Sequence, residues 1–165
     1  MAERGHQGQW ADRERFERLR EQVRSADDGH GLPECLVHGN LLHAQSHAVI
    51  SDRGPVAINW MASGRGPRLA DLAWLMWGTG SWGPRRANED CIAAAVNAYR
   101  QHVEPTDEEL DRLEAVMYIR ALYLVCFGYR RGVVANGRPE DHWGFIEPPE
   151  YFSSTAAATR AAFRQ

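Results

Sequence analysis

Between Ala115 and Tyr129 the chain reads AVMYIRALYLVCFGY, its longest apolar run, broken only by Arg120. A helix that crosses a bilayer needs about 20 apolar residues. This run is shorter and carries a charge, so it reads as a helix buried in a protein core. Just upstream, Pro105-Thr106-Asp107-Glu108-Glu109 has the form of a capping box, with Thr106 as the cap and Glu109 three residues later. The helix it opens is expected from Leu110 to about Arg130, burying Leu113, Val116, Met117, Ala121, Leu124 and Val125.

Other segments carry helical or hairpin signals on either side. From about Trp10 to Ala26, Arg and Glu alternate with Phe16, Leu19 and Val23 at helical spacing, an amphipathic helix facing solvent. Asp28-Gly29-His30-Gly31-Leu32-Pro33 breaks it, and Cys35-Leu36-Val37 follows as a short apolar strand. His47 to Ile50 is expected to pair with Val56 to Trp60 across Asp52-Arg53-Gly54, a hairpin signal. Gly64-Arg65-Gly66-Pro67 reads as a loop, and the helix beginning near Arg68 sends Leu69, Leu72, Ala73, Leu75 and Met76 toward a core. Asn88 to Val103 is an Ala-rich helix, and a short Ala-rich helix ends the chain after Pro148. Neither repeats nor a linker stand out, so the expectation is α+β, mainly helical, with one small β-hairpin and one domain over 1–165.

Composition narrows the function classes. An apolar fraction of 44% and a charged fraction of 25% are ordinary for a globular protein. A formal charge of −3 offers no electrostatic case for nucleic acid or for an anionic membrane surface. Three cysteines, an odd number, argue against a disulfide framework. With a polar, charged N-terminal segment that looks like neither a signal peptide nor a membrane anchor, the expected compartment is the cytoplasm.

The stretch from Leu36 to Trp77 carries the chemistry. It contains His38-Gly39-Asn40, then Gln45, a hairpin, Ile58-Asn59-Trp60 and Asp71-Leu72-Ala73. This order resembles the aminoglycoside and choline phosphotransferase family, whose pattern runs HGDxxxxN, a hairpin, IDW and DLA. The resemblance covers the second lobe of that kinase-like fold, nearly the whole chain, and implies a truncated kinase-like C-terminal lobe. In the family the Asp of HGD accepts the substrate proton, the later Asn binds metal, and the Asp of IDW is the principal metal ligand. Carried over by position, those roles fall on Asn40, Gln45 and Asn59.

These substitutions remove what phosphoryl transfer needs. Magnesium prefers hard carboxylate and phosphate oxygens, and catalysis depends on positioning and charge around it. A carboxamide has nearly the shape of a carboxylate but neither its charge nor its basicity. Asn40 therefore makes no base, Asn59 is a poor magnesium anchor, and Gln45 is one methylene longer than the Asn it replaces. The chain has no lysine to hold nucleotide phosphates, all 19 basic residues being arginine. Only 37 residues precede His38, and they hold no glycine-rich phosphate loop, so the nucleotide-binding lobe is expected to be absent.

Two classes of function fit. In the first the chain is a repurposed enzyme with no kinase activity and no metal or nucleotide cofactor. It would act on a hydrophobic neutral or anionic natural-product intermediate by dehydration, conjugate addition or cyclisation. Asn40 and Asn59 would stabilise charge, and His38, His43 or Tyr123 would move protons. Gln45, Trp60, Trp74 and Tyr123 would line the substrate site. In the second the chain is a non-catalytic pseudokinase module binding a metabolite or a partner protein, and an exposed former lobe interface would also suit a homo-oligomer. Each residue has a plainer reading: His38 as a shaper of its own loop, Asp71 as an anchor for that loop, and the tryptophans as core. His38, His43 and His47 also have a spacing that invites a metal site. Loop and strand directions would scatter them, so no metal is expected.

Overall fold

The computed structural model describes residues 4–41, 47–81, 88–134 and 149–165. The chain is α+β and mainly helical. In order it forms α1 (Arg4–Ser25), β1 (Glu34–Val37), β2 (Ala48–Ser51), β3 (Gly54–Ala57), a 3-10 turn (Trp60–Ala62) and β4 (Gly64–Pro67). Then come α2 (Ala70–Ser81), α3 (Glu89–Arg100), α4 (Asp107–Asp111), α5 (Leu113–Val134) and α6 (Pro149–Phe163). Its described residues gather into two compact units, one drawn from 1–27 and 119–147, the other from 28–118 and 148–165.

In the first unit, Leu19 of α1 and Ala121, Leu122 and Val125 of α5 are buried, whereas Phe16 and Val23 stay largely exposed. The Arg120 guanidinium lies 5.0 Å from the centre of the Tyr123 ring, which stacks on Phe127 one turn further on. The second unit holds the larger core. Leu69, Leu72, Ala73, Met76 and Trp77 around α2 meet Ile92 and Val96 of α3 and Tyr151, Phe152 and Ala156 of α6. Trp77 stacks on Phe152, and the Tyr151 hydroxyl donates to the Trp77 carbonyl at 2.9 Å, so the buried phenol is satisfied. Trp74 belongs to the same packing, its Nε1–H directed to the Val116 carbonyl at 3.3 Å.

The helix caps form as their local chemistry dictates. Asn88 caps α3 by accepting from the Cys91 N–H, and Thr106 with Glu109 completes the reciprocal box at α4. The helix expected to run unbroken from Leu110 is two helices, because Arg112 leaves helical geometry between Asp111 and Leu113. Its guanidinium donates to the His30 carbonyl at 3.0 Å, which ties the break to the loop before β1. Beyond the break Leu113, Val116, Met117, Ala121 and Val125 are buried as expected, and Leu124 is half-buried.

Two two-stranded antiparallel sheets stand where one hairpin was expected. The hairpin is there, with Ala48 opposite Ala57 and Ser51 opposite Gly54, and the Ser51 hydroxyl bridges its turn. Its second strand stops at Ala57, since the chain turns at Asn59 into the 3-10 segment. The second sheet corrects the loop reading of Gly64 to Pro67: this segment is β4, paired with β1 from Glu34 opposite Pro67 to Val37 opposite Gly64. Glycine and proline usually mark turns. In a ribbon of two strands each strand is an edge, so the missing proline N–H costs little.

A buried hydroxyl in α6 has no hydrogen-bond partner among the described residues. The Thr155 hydroxyl in α6 is fully enclosed and unbonded, which carries the desolvation cost of a polar group without return. Thr155→Val keeps the shape and removes the hydroxyl. It is expected to leave stability unchanged or raise it by about 1 kcal/mol in chemical denaturation.

Candidate functional site

β1 ends at Val37, whose burial draws the next turn, His38-Gly39-Asn40, into the second unit. Asp71, in the first turn of α2, fixes that turn. Its carboxylate accepts the His38 N–H at 2.6 Å and the Gly39 N–H at 3.0 Å, one on each oxygen. The position also suits the positive end of the helix. Gly39 has φ +77°, and a Cβ built there would lie 2.0 Å from the Ala62 carbonyl oxygen. The backbone of the turn is therefore pressed directly against the 3-10 segment, which only glycine permits.

His38 is buried, and both of its ring nitrogens are engaged. Nε2 lies 2.7 Å from the Ile58 carbonyl, and Nδ1 lies 3.3 Å from the Asn40 backbone nitrogen. A carbonyl can only accept and an N–H can only donate, so the ring is the neutral tautomer with its proton on Nε2. Trp60 sets its ring edge-on to His38 at 4.7 Å while its own Nε1–H donates to the Ala57 carbonyl. With both nitrogens used by the backbone, His38 shapes the loop. In this arrangement it holds no lone pair for proton transfer, in contrast to the catalytic role considered for it.

His47 holds the centre of the site. It lies just before β2, buried, and its carbonyl accepts the Ile58 N–H at 2.8 Å. Its Nε2 is 3.2 Å from Asn40 Nδ2 and its Nδ1 is 3.1 Å from Asn59 Nδ2. Asn59 reaches it from a left-handed backbone, φ 64° and ψ 56°, a conformation that asparagine tolerates better than most residues. The two carboxamides at the positions of the lost acids are thus clamped to opposite edges of one imidazole.

Comparison with protein-family models, with characterised proteins and with solved structures finds no match. The site is therefore read from its geometry.

Of the candidate residues, the structure brings together His38, Asn40, Asn59 and Trp60. His43 and Gln45 lie outside the described residues. Trp74 is taken up in packing against Val116. Tyr123 belongs to the other compact unit, where it stacks on Phe127. Among the described residues no three His, Cys, Asp or Glu side chains gather as a metal site. Likewise, among them no helix is long and apolar enough to cross a membrane.

The sequence considered His47 only as part of a histidine triplet. The hairpin register held a better signal. With Ala48 opposite Ala57, His47 falls opposite Ile58, one residue before Asn59, so an imidazole at the strand start meets the IDW-like segment across the ribbon. Chemically the cluster offers a neutral imidazole framework, two oriented carboxamides and a half-exposed indole. It can place hydrogen bonds on a polar group while an aromatic face covers the apolar part of the same ligand.

Proposed function

We propose that the protein is a small enzyme that acts without metal or nucleotide on a hydrophobic natural-product intermediate, by dehydration, conjugate addition or cyclisation. The observation that supports this most is the clamp on His47. At the two positions where the resemblance places a catalytic base and a metal anchor, uncharged carboxamides are held in fixed orientation by a buried ring. Orientation of that kind has value when charge develops on a bound oxygen, because pre-aimed dipoles need no reorganisation during the reaction. Trp60, exposed beside the pair, supplies an apolar wall.

A panel of 1,3-dicarbonyl substrates with pendant aromatic or alkyl chains tests this. Asn59→Ala is expected to lower kcat/KM by about 10²–10³-fold, the usual loss for one oriented donor. The melting temperature should fall by a few degrees, because alanine tolerates the left-handed backbone at position 59 less well than asparagine, and chelation of divalent ions should leave turnover unchanged. Phosphorylated product formed only with ATP and magnesium would sink the proposal.

A second reading has its own observation. Leu36 of β1, Ile50 of β2 and Met61 of the 3-10 turn are exposed at 72%, 83% and 95%, large apolar side chains left to solvent. Surfaces of that kind mark docking sites, and a non-catalytic module would use this one for a partner protein or a second copy of the chain. Co-elution with a partner and no turnover across the panel would favour it.

A further inference from the structure

β1 with β4 and β2 with β3 form two ribbons, so each strand has one edge bonded and one turned outward. Residues of an antiparallel pair alternate between those that exchange hydrogen bonds and those whose N–H and C=O groups point away. In the hairpin the Ile58 N–H donates to the His47 carbonyl at 2.8 Å, which makes these two a bonded pair. By alternation Val49 bonds with Val56, whereas Ala48, Ile50, Pro55 and Ala57 turn their backbone groups outward. The outward side of β3 is blunted. Pro55 has no N–H to offer there, and the Ala57 carbonyl already accepts the Trp60 indole at 3.0 Å. The outward side of β2 is open: among the described residues nothing bonds the backbone groups of Ala48 and Ile50, and the Ile50 side chain stands in solvent. No charge, proline or bulge guards this strand, the devices by which edges usually resist pairing. On the other ribbon Glu34, in an ion pair with Arg65, puts a charge on β1, and Pro67 interrupts the edge of β4.

We infer that β2 is a dimerisation edge, pairing antiparallel with β2 of a second copy of the chain about a two-fold axis at Val49. In that register Ala48 of each copy exchanges N–H···O=C bonds with Ile50 of the other, so every outward group on both strands meets its complement. A shift of two residues either way carries one of these positions past the end of the strand. The side chains fit the same register. Val49 lies opposite Val49 of the other copy with Val56 on each flank, so half-exposed valines run in a row across one face. On the opposite face Ile50 meets Ala48, a large apolar group against a small one. Since the strand is uncharged, no like charges are set against each other. The product is a sheet of order β3-β2-β2-β3 whose outer edges are both the blunted β3, so growth stops at two copies. A ribbon of two strands is marginal by itself, and pairing stiffens the strand that His47 precedes. The inference concerns association and does not rest on the enzymatic reading of the site.

The test is sedimentation equilibrium of the full chain from about 10 µM to about 1 mM, because a contact of four residues a side is far below the roughly 20–30 of a standard interface and binds weakly. A monomer–dimer equilibrium is expected, and amide exchange should slow most at Ala48 and Ile50 as concentration rises. That exchange pattern needs no variant and identifies the edge by itself. Val49→Lys and Val49→Glu each set like charges opposite one another, and each should raise the dissociation constant at least about tenfold. Their equimolar mixture should dimerise as the parent does. Ile50→Pro, which places on β2 the block that Pro55 places on β3, should abolish association while leaving the hairpin bonds in place. A parent protein still monomeric at the highest concentration, a dimer indifferent to these variants, no slowing at Ala48 and Ile50, or assembly beyond two copies would each overturn the inference. A dimer that follows the predicted pattern with no turnover of any 1,3-dicarbonyl substrate would instead overturn the enzymatic reading and leave this edge standing.

Discussion

Gly39→Ala is expected to destabilise the protein by about 2–5 kcal/mol, from the left-handed backbone penalty and from the shift forced by an added methyl group. The residue sits at φ +77°, and the new Cβ would lie 2.0 Å from the Ala62 carbonyl oxygen. That oxygen is backbone, so it cannot swing aside as a side-chain tip would. Relief would have to come from moving the 3-10 turn, which carries Trp60 and adjoins Asn59, or from moving the His38 turn held by Asp71. A domain of this size is stable by about 5–15 kcal/mol, so the variant should unfold at a markedly lower urea concentration. A loss under about 1 kcal/mol would mean that the contact between turn and 3-10 segment is looser than the structure has it.

Arg68→Ala is expected to cost about 3–5 kcal/mol, because it strands a buried carboxylate. Glu109 is enclosed, its side chain only 1% exposed, and it takes both guanidinium contacts of Arg68 at 2.7 Å. The same carboxylate accepts the Thr106 N–H at 2.8 Å and so also completes the α4 cap. Arg68 contributes further through the Glu104 carbonyl, and Tyr99 donates to the Arg68 carbonyl. Glu109→Gln should cost less than Arg68→Ala, since it retains an oxygen for the cap and leaves no buried charge. Arg68→Met with Glu109→Leu should recover part of the loss, as apolar replacements of buried ion pairs commonly do.

The same pair sets an acid limit. Burial opposes ionisation of Glu109 more than any other single influence, but the hydrogen bonds from Arg68 and Thr106, with the Arg68 charge, together outweigh it. Its carboxyl is accordingly held below the ordinary value. A carboxyl lowered in the folded state adds stability that is fully present above its unfolded value and is lost as pH falls through its folded one. Denaturation midpoints of the parent should therefore fall on acidification below the ordinary carboxylate range, and Glu109→Gln should flatten that limb.

How much of this was legible in the sequence follows from how local each signal is. The box at Thr106 and Glu109 and the apolar face of α5 were readable because three- and four-residue spacings determine them. The hairpin turn was readable because its turn residues lie between two apolar runs. β4 was not, since a Gly-Arg-Gly-Pro segment becomes a strand only through pairing with β1, about thirty residues upstream, and Gly66 lets Val37 lie against it. The break at Arg112 also depends on a distant carbonyl, that of His30. At the site, the amides at Asn40 and Asn59 and the anchor at Asp71 could be picked out by position. The partner that joins the two amides could not, because an imidazole before a strand shows its direction only once the register is known.

Asp71 makes the start of α2 and the turn at His38 a single mechanical element. Its two oxygens hold amide protons that lie 33 and 32 residues earlier in the chain. Those protons cannot exchange with solvent until the first turn of the helix lets go of them, so the loop inherits the opening frequency of the helix rather than that of a surface turn. Slow exchange at His38 and Gly39, in step with the amides at the start of α2, would make the candidate site as long-lived as the helical core that carries it.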